Sequence, residues 1–123
     1  FHACRYAILP HNEPFGAESV IHPAYQFNYA PLRMGTDAPP PPLAAFDRPN
    51  IIIETVKPCE ATQRAYILRA YEAMGDYTTA ALTLGHAATS VHECNMLEEE
   101  QSLADPLSLT FRPFEIKTLK VSY

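Results

Sequence analysis

The sequence predicts an all-β chain that contains a small antiparallel β-sandwich of the immunoglobulin-like kind. About six short strand-like segments, separated by turn residues, lie between residues 50 and 123, and such spacing is typical of these sandwiches. The last two segments, within Leu107–Tyr123, alternate apolar and polar residues on either side of Pro113. A proline-rich stretch before residue 50 separates the predicted sandwich from the first part of the chain.

Length and composition are those of an ordinary globular chain. Its 123 residues are 47% hydrophobic and 19% charged, enough for one domain or for a small domain and a piece of another. The formal net charge of -5, without a basic stripe, argues against nucleic acids and anionic membranes as partners. No apolar run approaches the roughly 20 residues that span a bilayer. Because the sequence begins at Phe1, we expect it to be a fragment of a longer chain.

The three cysteines predict a reducing environment. Cys4, Cys59 and Cys94 are odd in number and far apart, so they do not suggest a disulfide framework. Free thiols are typical of proteins in reducing compartments. The sequence therefore predicts a cytoplasmic location.

The first 49 residues are predicted to hold a strand, a short helix and a strap. Phe1–Leu9 alternates as a strand does. A short helix or a turn is predicted around Glu18–His22, and Pro23 limits such a helix to about one or two turns. Residues 33–49 are predicted to be a linker in which Pro39–Pro42 is extended, close to polyproline II. A ligand for a proline-recognition domain is the alternative for this run.

The second part of the chain is predicted to hold the strands of the sandwich. Strand patterns occur at Asn50–Val56, at Tyr77–Leu84 and within Leu107–Tyr123. The pattern at Ala87–Met96 is weaker and also predicts a strand. Arg64–Ala73 fits a helix or a strand by periodicity, and the short connection through Gly75 favours a hairpin with the segment that follows. Leu97–Asp105 is acidic and predicts a loop or one frayed helical turn. The apolar phase slips at Pro113 and again at Thr118, which predicts a kink between two strand segments.

Histidine and cysteine residues give little support for a metal site. His92 and Cys94 share one face of a predicted strand, but structural zinc needs four ligands, and His86 lies across a turn. We therefore expect a surface histidine and a buried free cysteine. The other histidines have no spacing that suggests a cluster and are expected to be hydrogen-bonded scaffold residues: His2, His11 and His22.

The carboxylates show no arrangement that predicts catalysis. Glu98–Glu100 are adjacent and are expected to form a solvated acidic loop. A glycoside hydrolase uses two carboxyl groups that lie about 5–10 Å apart across a sugar. The candidates for such a pair in this chain are Glu54, Glu72 and Glu93. Nothing in their spacing brings them together. We therefore predict no catalytic, cofactor-binding or metal-binding residue in this chain.

Aromatic residues leave one binding function open. Arg69 and Tyr71 share a face of their segment, and we expect Arg69 to make structural hydrogen bonds across strands rather than ligand contacts. The chain has no tryptophan, which weakens a sugar-binding hypothesis because such surfaces depend on aromatic rings. Its seven tyrosines keep a carbohydrate-binding module as an alternative, with Tyr71 and Tyr77 as the candidate rings.

Several segments, in order, resemble the glycoside hydrolase family 38 α-mannosidases. His2 with Tyr6–His11 is similar to the family's H-x-F-x-Y-A-L-x-P-H, although Cys4 stands where an aromatic residue is usual. Further similar segments are Ala24–Asn28 with Pro31-Leu32, Ile51–Lys57, Ile67–Gly75, Asn95–Glu98, and Leu109–Leu119, which is close to L-x-L-x-P-F-E-I-K-T-L. The ordered set covers nearly the whole chain apart from the proline strap. It is nearest to the bacterial and cytosolic-type branch.

The resemblance implies a non-catalytic role within a larger enzyme. The family's zinc ligands and aspartate nucleophile belong to an N-terminal α/β domain, and no position here matches those motifs. Residues 1–32 are then the last strands of a large β super-sandwich, residues 33–49 the linker, and residues 50–123 the C-terminal β-sandwich domain. The parent is expected to be a zinc-dependent retaining α-mannosidase that hydrolyses terminal α-mannosyl residues. The alternatives are a carbohydrate-binding module and an oligomerisation or interaction domain.

The same resemblance implies a set of partners. They are the N-terminal catalytic domain of the same enzyme, the α-mannoside substrate through the parent and, in a homo-oligomer, a second copy. No cofactor is expected in this segment. Zinc or another divalent metal is expected in the catalytic domain of the parent.

Overall fold

The computed structural model describes residues 1–29, 35 and 40–123. In these residues a π-helical turn, Ala17–Ile21, and a short helix, α1 (His22–Asn28), precede nine strands. The strands are β1 (Ala44–Phe46), β2 (Ile51–Pro58), β3 (Ala65–Glu72), β4 (Thr78–Ala80), β5 (Leu82–Leu84), β6 (Ser90–Cys94), β7 (Glu100–Leu103), β8 (Leu109–Phe111) and β9 (Ile116–Ser122).

Antiparallel sheets dominate the structure. One layer is a five-stranded sheet in the order β2-β3-β9-β6-β7. Two strand pairs, β1-β5 and β4-β8, face it across a shared apolar core. The prediction of an all-β sandwich is confirmed.

The core follows from the alternation of apolar residues along the strands. Leu68 on β3 and Leu119 and Val121 on β9 are fully buried on the inner face of the large sheet. Phe111 on β8 closes the core from the other layer and meets Phe46 edge to face, with ring centroids 5.7 Å apart. Burying each side chain of this size stabilises the fold by about 1.5–3 kcal/mol.

The end of the chain shows one confirmed and one wrong prediction. The kink at Pro113 is confirmed, because β8 and β9 on either side of it belong to different layers. The second slip, at Thr118, is wrong, since β9 pairs with β3 in one unbroken register. The prediction failed because burial on the outer face of β9 does not follow polarity. The apolar Ile116 is exposed on that face, and the polar Thr118 is buried on it.

The predicted hairpin between Arg64–Ala73 and Tyr77–Leu84 is wrong. The first segment is the strand β3, which pairs with β2 and β9, whereas β4 and β5 pair with β8 and β1 in the opposite layer. Ala81 separates β4 from β5, because its N–H donates to the Asp47 carboxylate (2.8 Å) and its carbonyl accepts from the Asp47 N–H (3.1 Å). The connection therefore crosses between the layers.

The segment before the sandwich differs most from the prediction. Phe1–Leu9 forms no strand and is exposed throughout, so the strand prediction is wrong for this structure; no strand among the described residues pairs with it. A helix does occur near Glu18–His22, but Pro23 lies in the first turn of α1 and does not end it. Proline is tolerated there because the first helical N–H groups have no partner within the helix.

Two further differences concern predicted loops. Residues 30–34 and 36–39 lie outside the described residues, and they include part of the predicted linker and Pro39 of the predicted polyproline run. β1 falls within the predicted linker, residues 33–49, and its Ala44 and Phe46 pack against the core. The predicted loop Leu97–Asp105 contains the edge strand β7. No helix in the described part of the chain has the length and apolar character that crossing a bilayer requires.

Candidate functional site

The best-formed polar site is built around Glu72, the last residue of β3. Alternation along β3 places Glu72 on the core side with Leu68 and Ala70, and its side chain is 0% exposed. A buried carboxylate is tolerated only where hydrogen bonds replace its water. The fold must therefore supply donors at this point.

Five donors surround the Glu72 carboxylate. Oε1 accepts from Asn50 Nδ2 (2.9 Å) and from the Met74 N–H (2.8 Å). Oε2 accepts from the N–H groups of Gly75 (2.7 Å), Asp76 (3.1 Å) and Phe114 (3.1 Å). Both oxygens are thus fully used. The carboxylate joins three loops at one end of the sandwich, which we call the Glu72 end: residues 48–50, 73–77 and 112–115.

Two residues with positive φ aim the backbone donors at the carboxylate. Gly75 has φ of 81° and Phe114 has φ of 57°, a conformation that glycine adopts freely and other residues seldom do. A Cβ on Gly75 would lie 2.9 Å from Cζ of Phe114. The Phe114 ring therefore packs on the glycine itself, and a side chain at residue 75 would collide with it.

The electrostatics fix Glu72 in its charged form. Burial alone would raise the pKa of Glu72, but the hydrogen bonds from Phe114, Asn50, Met74 and Gly75 outweigh it and hold the pKa below its ordinary value. A carboxylate that is ionised, buried and saturated with donors cannot transfer a proton to a substrate. Its role is to order the loops around it.

The Glu72 end presents two exposed rings and a cleft. Tyr77 is 75% exposed and Phe114 is 68% exposed. Beside them a cleft of about 1010 Å³ separates the loops from the segment that precedes α1. Its walls come from residues 13–19, 48–50 and 76–79, together with Met74.

The residues considered for a metal site are spread over separate interactions. Nε2 of His92 lies 3.8 Å from Oε2 of Glu100, and Sγ of Cys94 donates to the His92 carbonyl (3.7 Å). Both residues are half-buried, so neither the expected surface histidine nor the expected buried cysteine is correct. His86 packs between two tyrosines at the other end of the sandwich. Within residues 1–29, 35 and 40–123, no three His, Cys, Asp or Glu side chains converge, and the described residues do not fit zinc.

Two of the remaining histidines are hydrogen-bonded as expected. Nδ1 of His11 lies 2.7 Å from the Glu13 carbonyl, and Nε2 of His22 lies 2.8 Å from the Pro49 carbonyl. The second contact holds α1 against the sandwich. His2 is exposed in the segment without regular structure.

The acidic loop is more ordered than expected. Oδ1 of Asn95 accepts from the N–H groups of Leu97 (2.9 Å) and Glu99 (3.0 Å), which folds the loop back over the sheet. The Glu98 side chain is only 7% exposed and pairs with Lys57, so the expectation of a solvated loop is wrong for Glu98. The Lys57 ammonium holds the pKa of Glu98 below its ordinary value.

The other candidate carboxylates have separate roles. Glu93 pairs with Lys117, whose Nζ lies 2.9 Å from each carboxylate oxygen. Glu54 is exposed at the β-bulge of β2. Glu72 and Glu93 are thus occupied by different partners, and neither is free to act as an acid or nucleophile.

Arg69 and Tyr71 are both structural. Nη2 of Arg69 donates to the Met96 carbonyl (3.1 Å), which ties the acidic loop to the sheet. The Tyr71 hydroxyl lies 3.0 Å from that of Tyr25 on α1. Tyr71 is half-buried and does not present a free ring face, whereas Tyr77 does.

Sequence reasoning missed the importance of Glu72. The usable signal was the order Glu72-Ala73-Met74-Gly75, because a glycine three residues after a core-facing acid allows a turn whose N–H groups point back to it. Asn50 and Phe114 are too distant in sequence to be joined to it by pattern alone.

Comparison with known proteins agrees with this architecture. The family model described as "Glycosyl hydrolases family 38 C-terminal beta sandwich domain" matches residues 50–119. The chain belongs to glycoside hydrolase family 38. It is 35% identical to "Alpha-mannosidase 2C1" of Mus musculus over 133 aligned positions, which cover 96% of this chain and 12% of the relative. The chain thus spans about an eighth of the length of that relative, and the matched domain is the β-sandwich that holds Glu72.

Proposed function

We propose that this chain is the C-terminal β region of an α-mannosidase and supports the catalytic domain without supplying a catalytic residue. The observation that carries the proposal is the complete engagement of Glu72, the carboxylate buried most deeply, by five donors. Glycosidases need two carboxyl groups that can reach a sugar from opposite sides. Glu72 cannot reach one, and Glu93 is paired with Lys117.

The finer features of the parent enzyme belong to the same proposal. Zinc, the retaining mechanism and the nucleophile are assigned to an N-terminal catalytic domain outside this chain, with terminal α-mannosides as the substrate. Residues 1–32 then close a large β super-sandwich, residues 33–49 form the linker, and residues 50–123 form the terminal domain. A cytoplasmic location is supported by the free cysteines: Cys4, Cys59 and Cys94.

We assign the contact with the rest of the enzyme to the Glu72 end. Tyr77 and Phe114 are large, exposed rings on loops that the buried carboxylate holds in place. Rigid aromatic anchors of this kind dominate the energetics of interfaces. The rings are expected to pack against the remainder of the enzyme.

The test compares catalysis with stability in the full-length enzyme. Glu72→Gln is expected to shorten the half-life of thermal inactivation while kcat and KM of the surviving enzyme, measured on an aryl α-mannoside, stay unchanged. Glu54→Gln, an exposed carboxylate, is the matched control and is expected to alter neither. A fall in kcat at unchanged stability would contradict a supporting role.

The chain alone provides an independent check. The purified 123 residues are expected to release no aryl group from an aryl α-mannoside. Measurable hydrolysis that survives removal of contaminating activity would overturn the proposal directly.

A second candidate function is self-association through the edge strand β7. This strand lies at the edge of the large sheet, all four of its residues are exposed, and Leu103 is among them. An exposed edge can pair with another strand. Light scattering of the parent enzyme with and without Leu103→Lys distinguishes self-association from a purely supporting role. Only self-association predicts that the variant loses its oligomers.

A further inference from the structure

The cleft beside Tyr77 carries negative charge that the described residues do not neutralise. Three carboxylates line it, those of Glu13, Glu18 and Asp76. All three residues are exposed, and the ion pairs of the described residues involve other carboxylates. Arg48 is the one cation among the described wall residues, and its Nε lies 4.0 Å from a carboxylate oxygen of Asp47. The cleft is therefore acidic.

Two carboxylates on the large sheet show the opposite arrangement. Glu93 lies 2.9 Å from Nζ of Lys117, and Glu100 lies 2.8 Å from Nζ of Lys120. Charge on that sheet is thus balanced within the chain. Around the cleft, like charges repel one another, and a cation placed between them would be attracted by all of them.

Exposed aromatic rings line the same cleft. Phe15 is 66% exposed and belongs to the wall that carries Glu13 and Glu18. Tyr77 follows Asp76 on the opposite wall and is also exposed. Each wall therefore combines a free ring with at least one free carboxylate. The two features are independent, since carboxylates attract any cation, whereas rings favour one that can lie on an aromatic face.

Hydrogen bonds hold both walls in place before any partner binds. The Asp76 N–H donates to Oε2 of Glu72 (3.1 Å). On the other wall, Oγ of Ser19 donates to the Pro14 carbonyl (2.7 Å). A surface that is already ordered loses little conformational entropy when it binds, so weak contacts on it contribute more to affinity.

The combination of rings and carboxylates narrows the chemistry of the partner. A metal ion does not fit, because no three His, Cys, Asp or Glu side chains converge in the part of the chain that the structure describes. An acidic segment would be repelled, and an apolar one would strip water from the carboxylates. Lysine is a compact and strongly hydrated charge. Arginine stacks on aromatic faces and pairs with carboxylates through two parallel bonds, and thus uses both features.

We propose that the cleft receives an arginine-bearing segment from the rest of the enzyme, whose guanidinium group packs against the rings and pairs with the carboxylates. This inference rests on the proposed function, which joins the chain to a catalytic domain, and it adds the chemistry of the contact between them. The Tyr77 and Phe114 rings supply the apolar part of that contact, and the cleft supplies its charged part.

The first test compares the full-length enzyme with this chain alone. Asp76→Asn removes the charge and keeps the size of the side chain. In the full-length enzyme we expect it to shorten the half-life of thermal inactivation about threefold, as for the loss of an exposed ion pair. Added NaCl is expected to shorten the half-life of the wild type more than that of the variant, because salt screens the pair. In the chain alone, the urea midpoint is expected to stay unchanged.

Glu54→Gln, an exposed carboxylate that does not line the cleft, is the matched control and is expected to change neither quantity. An unchanged half-life in Asp76→Asn, or an equal response to salt in variant and wild type, would overturn the proposal. Destabilisation of the isolated chain by Asp76→Asn would also overturn it, because the carboxylate would then act within the chain.

The second test identifies the arginine. Phenylglyoxal labels accessible guanidinium groups, and mass spectrometry locates the labelled residues. In the full-length enzyme, we expect an arginine outside the 123 residues to be protected in the wild type and to lose its protection in Asp76→Lys, whose ammonium group repels it.

Two labelling results would contradict the assignment. If no arginine loses protection, the cleft holds none. If the loss is confined to arginines of this chain, the partner is a second copy and not the rest of the enzyme. Either result leaves the proposed supporting role intact, because that role fails only if Glu72→Gln lowers kcat at unchanged stability or if the isolated chain hydrolyses an aryl α-mannoside.

Discussion

The two ends of the sandwich bury polar groups in opposite ways. At the Glu72 end a charged carboxylate is completely enclosed, and five donors satisfy it. At the other end, which we call the Tyr66 end, a neutral hydroxyl is enclosed beside a pocket and has no partner among the described residues. The carboxylate, which costs more to bury than the hydroxyl, thus has more hydrogen-bond partners.

This difference follows from what each group costs when it is buried without a partner. A charge cannot be left unpaired in a core, so a carboxylate with every lone pair used has a structural role and no spare chemistry. A neutral hydroxyl can be left unpaired at a moderate cost. The variants below test this contrast by removing one group at a time.

The largest expected effect is that of Glu72→Gln. The amide keeps one acceptor oxygen, but its NH₂ group faces N–H donors that need an acceptor, so two or more bonds are lost and the donors remain buried. We expect a destabilisation of about 3–5 kcal/mol, as for a broken buried charge network. Urea unfolding followed by circular dichroism measures it. The exposed Glu54→Gln is the control and is expected to leave the midpoint unchanged. An equal response of the two variants would contradict the buried-charge argument.

The same variant predicts a change in the pH dependence of stability. The pKa of Glu72 is lowered in the folded state. Its contribution to stability is therefore present above its unfolded pKa, near the ordinary value of 4.5. The contribution is lost as the pH falls through the lower folded pKa. The difference between wild type and Glu72→Gln is therefore expected to be constant above about pH 5 and to shrink on acidification. A difference that grows below pH 4.5 would refute this assignment.

Much of the fold could be predicted from local pattern, and the errors have physical causes. The strands rich in β-branched or alternating residues were found because burial of one face leaves a period-2 signal. The pairing of β3 was missed because a short connection with glycine suits a hairpin and a crossover equally well. What decides between them is the distant Asp47, which binds Ala81 and divides β4 from β5.

The candidate site was less accessible to sequence analysis. Glu72 was considered only as a catalytic acid, because pattern gives its face of the strand but not its donors. Phe114 and Asn50 lie 42 and 22 positions away from it. The pocket beside Tyr66 was missed for the same reason, since His86 and Tyr123 reach it from separate parts of the chain.

The next largest effect is expected in the turn that supplies the donors. Gly75→Ala forces a side chain into positive φ and against the Phe114 ring. We expect it to cost about 1–3 kcal/mol, measured by urea unfolding. The same substitution in a Phe114→Ala background separates the causes, because only the backbone strain remains there. An unchanged cost in that background would show that the clash with the ring contributes nothing.

A third comparison sets a partnered hydroxyl against the unpartnered one. Tyr71→Phe removes the 3.0 Å bond to Tyr25 and is expected to cost about 0.5–1.5 kcal/mol. The Tyr71 hydroxyl and burial raise the pKa of Tyr25 to about 12. Tyr71→Phe should therefore also lower the pKa of Tyr25, and ultraviolet titration measures this change. Tyr66→Phe is expected to leave stability unchanged or to increase it by up to about 1 kcal/mol. Equal destabilisation by both variants would show that the Tyr66 hydroxyl has a partner.

The smallest effect is expected for a conspicuous contact at the surface of the Glu72 end. Nη2 of Arg112 lies 2.9 Å from Oε1 of Glu115, but the Arg112 side chain is largely exposed, so water replaces the ion pair at little cost. Arg112→Ala also keeps the bond from the Arg112 N–H to Oε2 of Glu115 (2.8 Å). We therefore expect no measurable change in the urea midpoint. A loss of stability as large as that expected for Gly75→Ala would contradict the contrast with Glu72. It would show that exposed contacts at this end stabilise the fold as much as buried ones do.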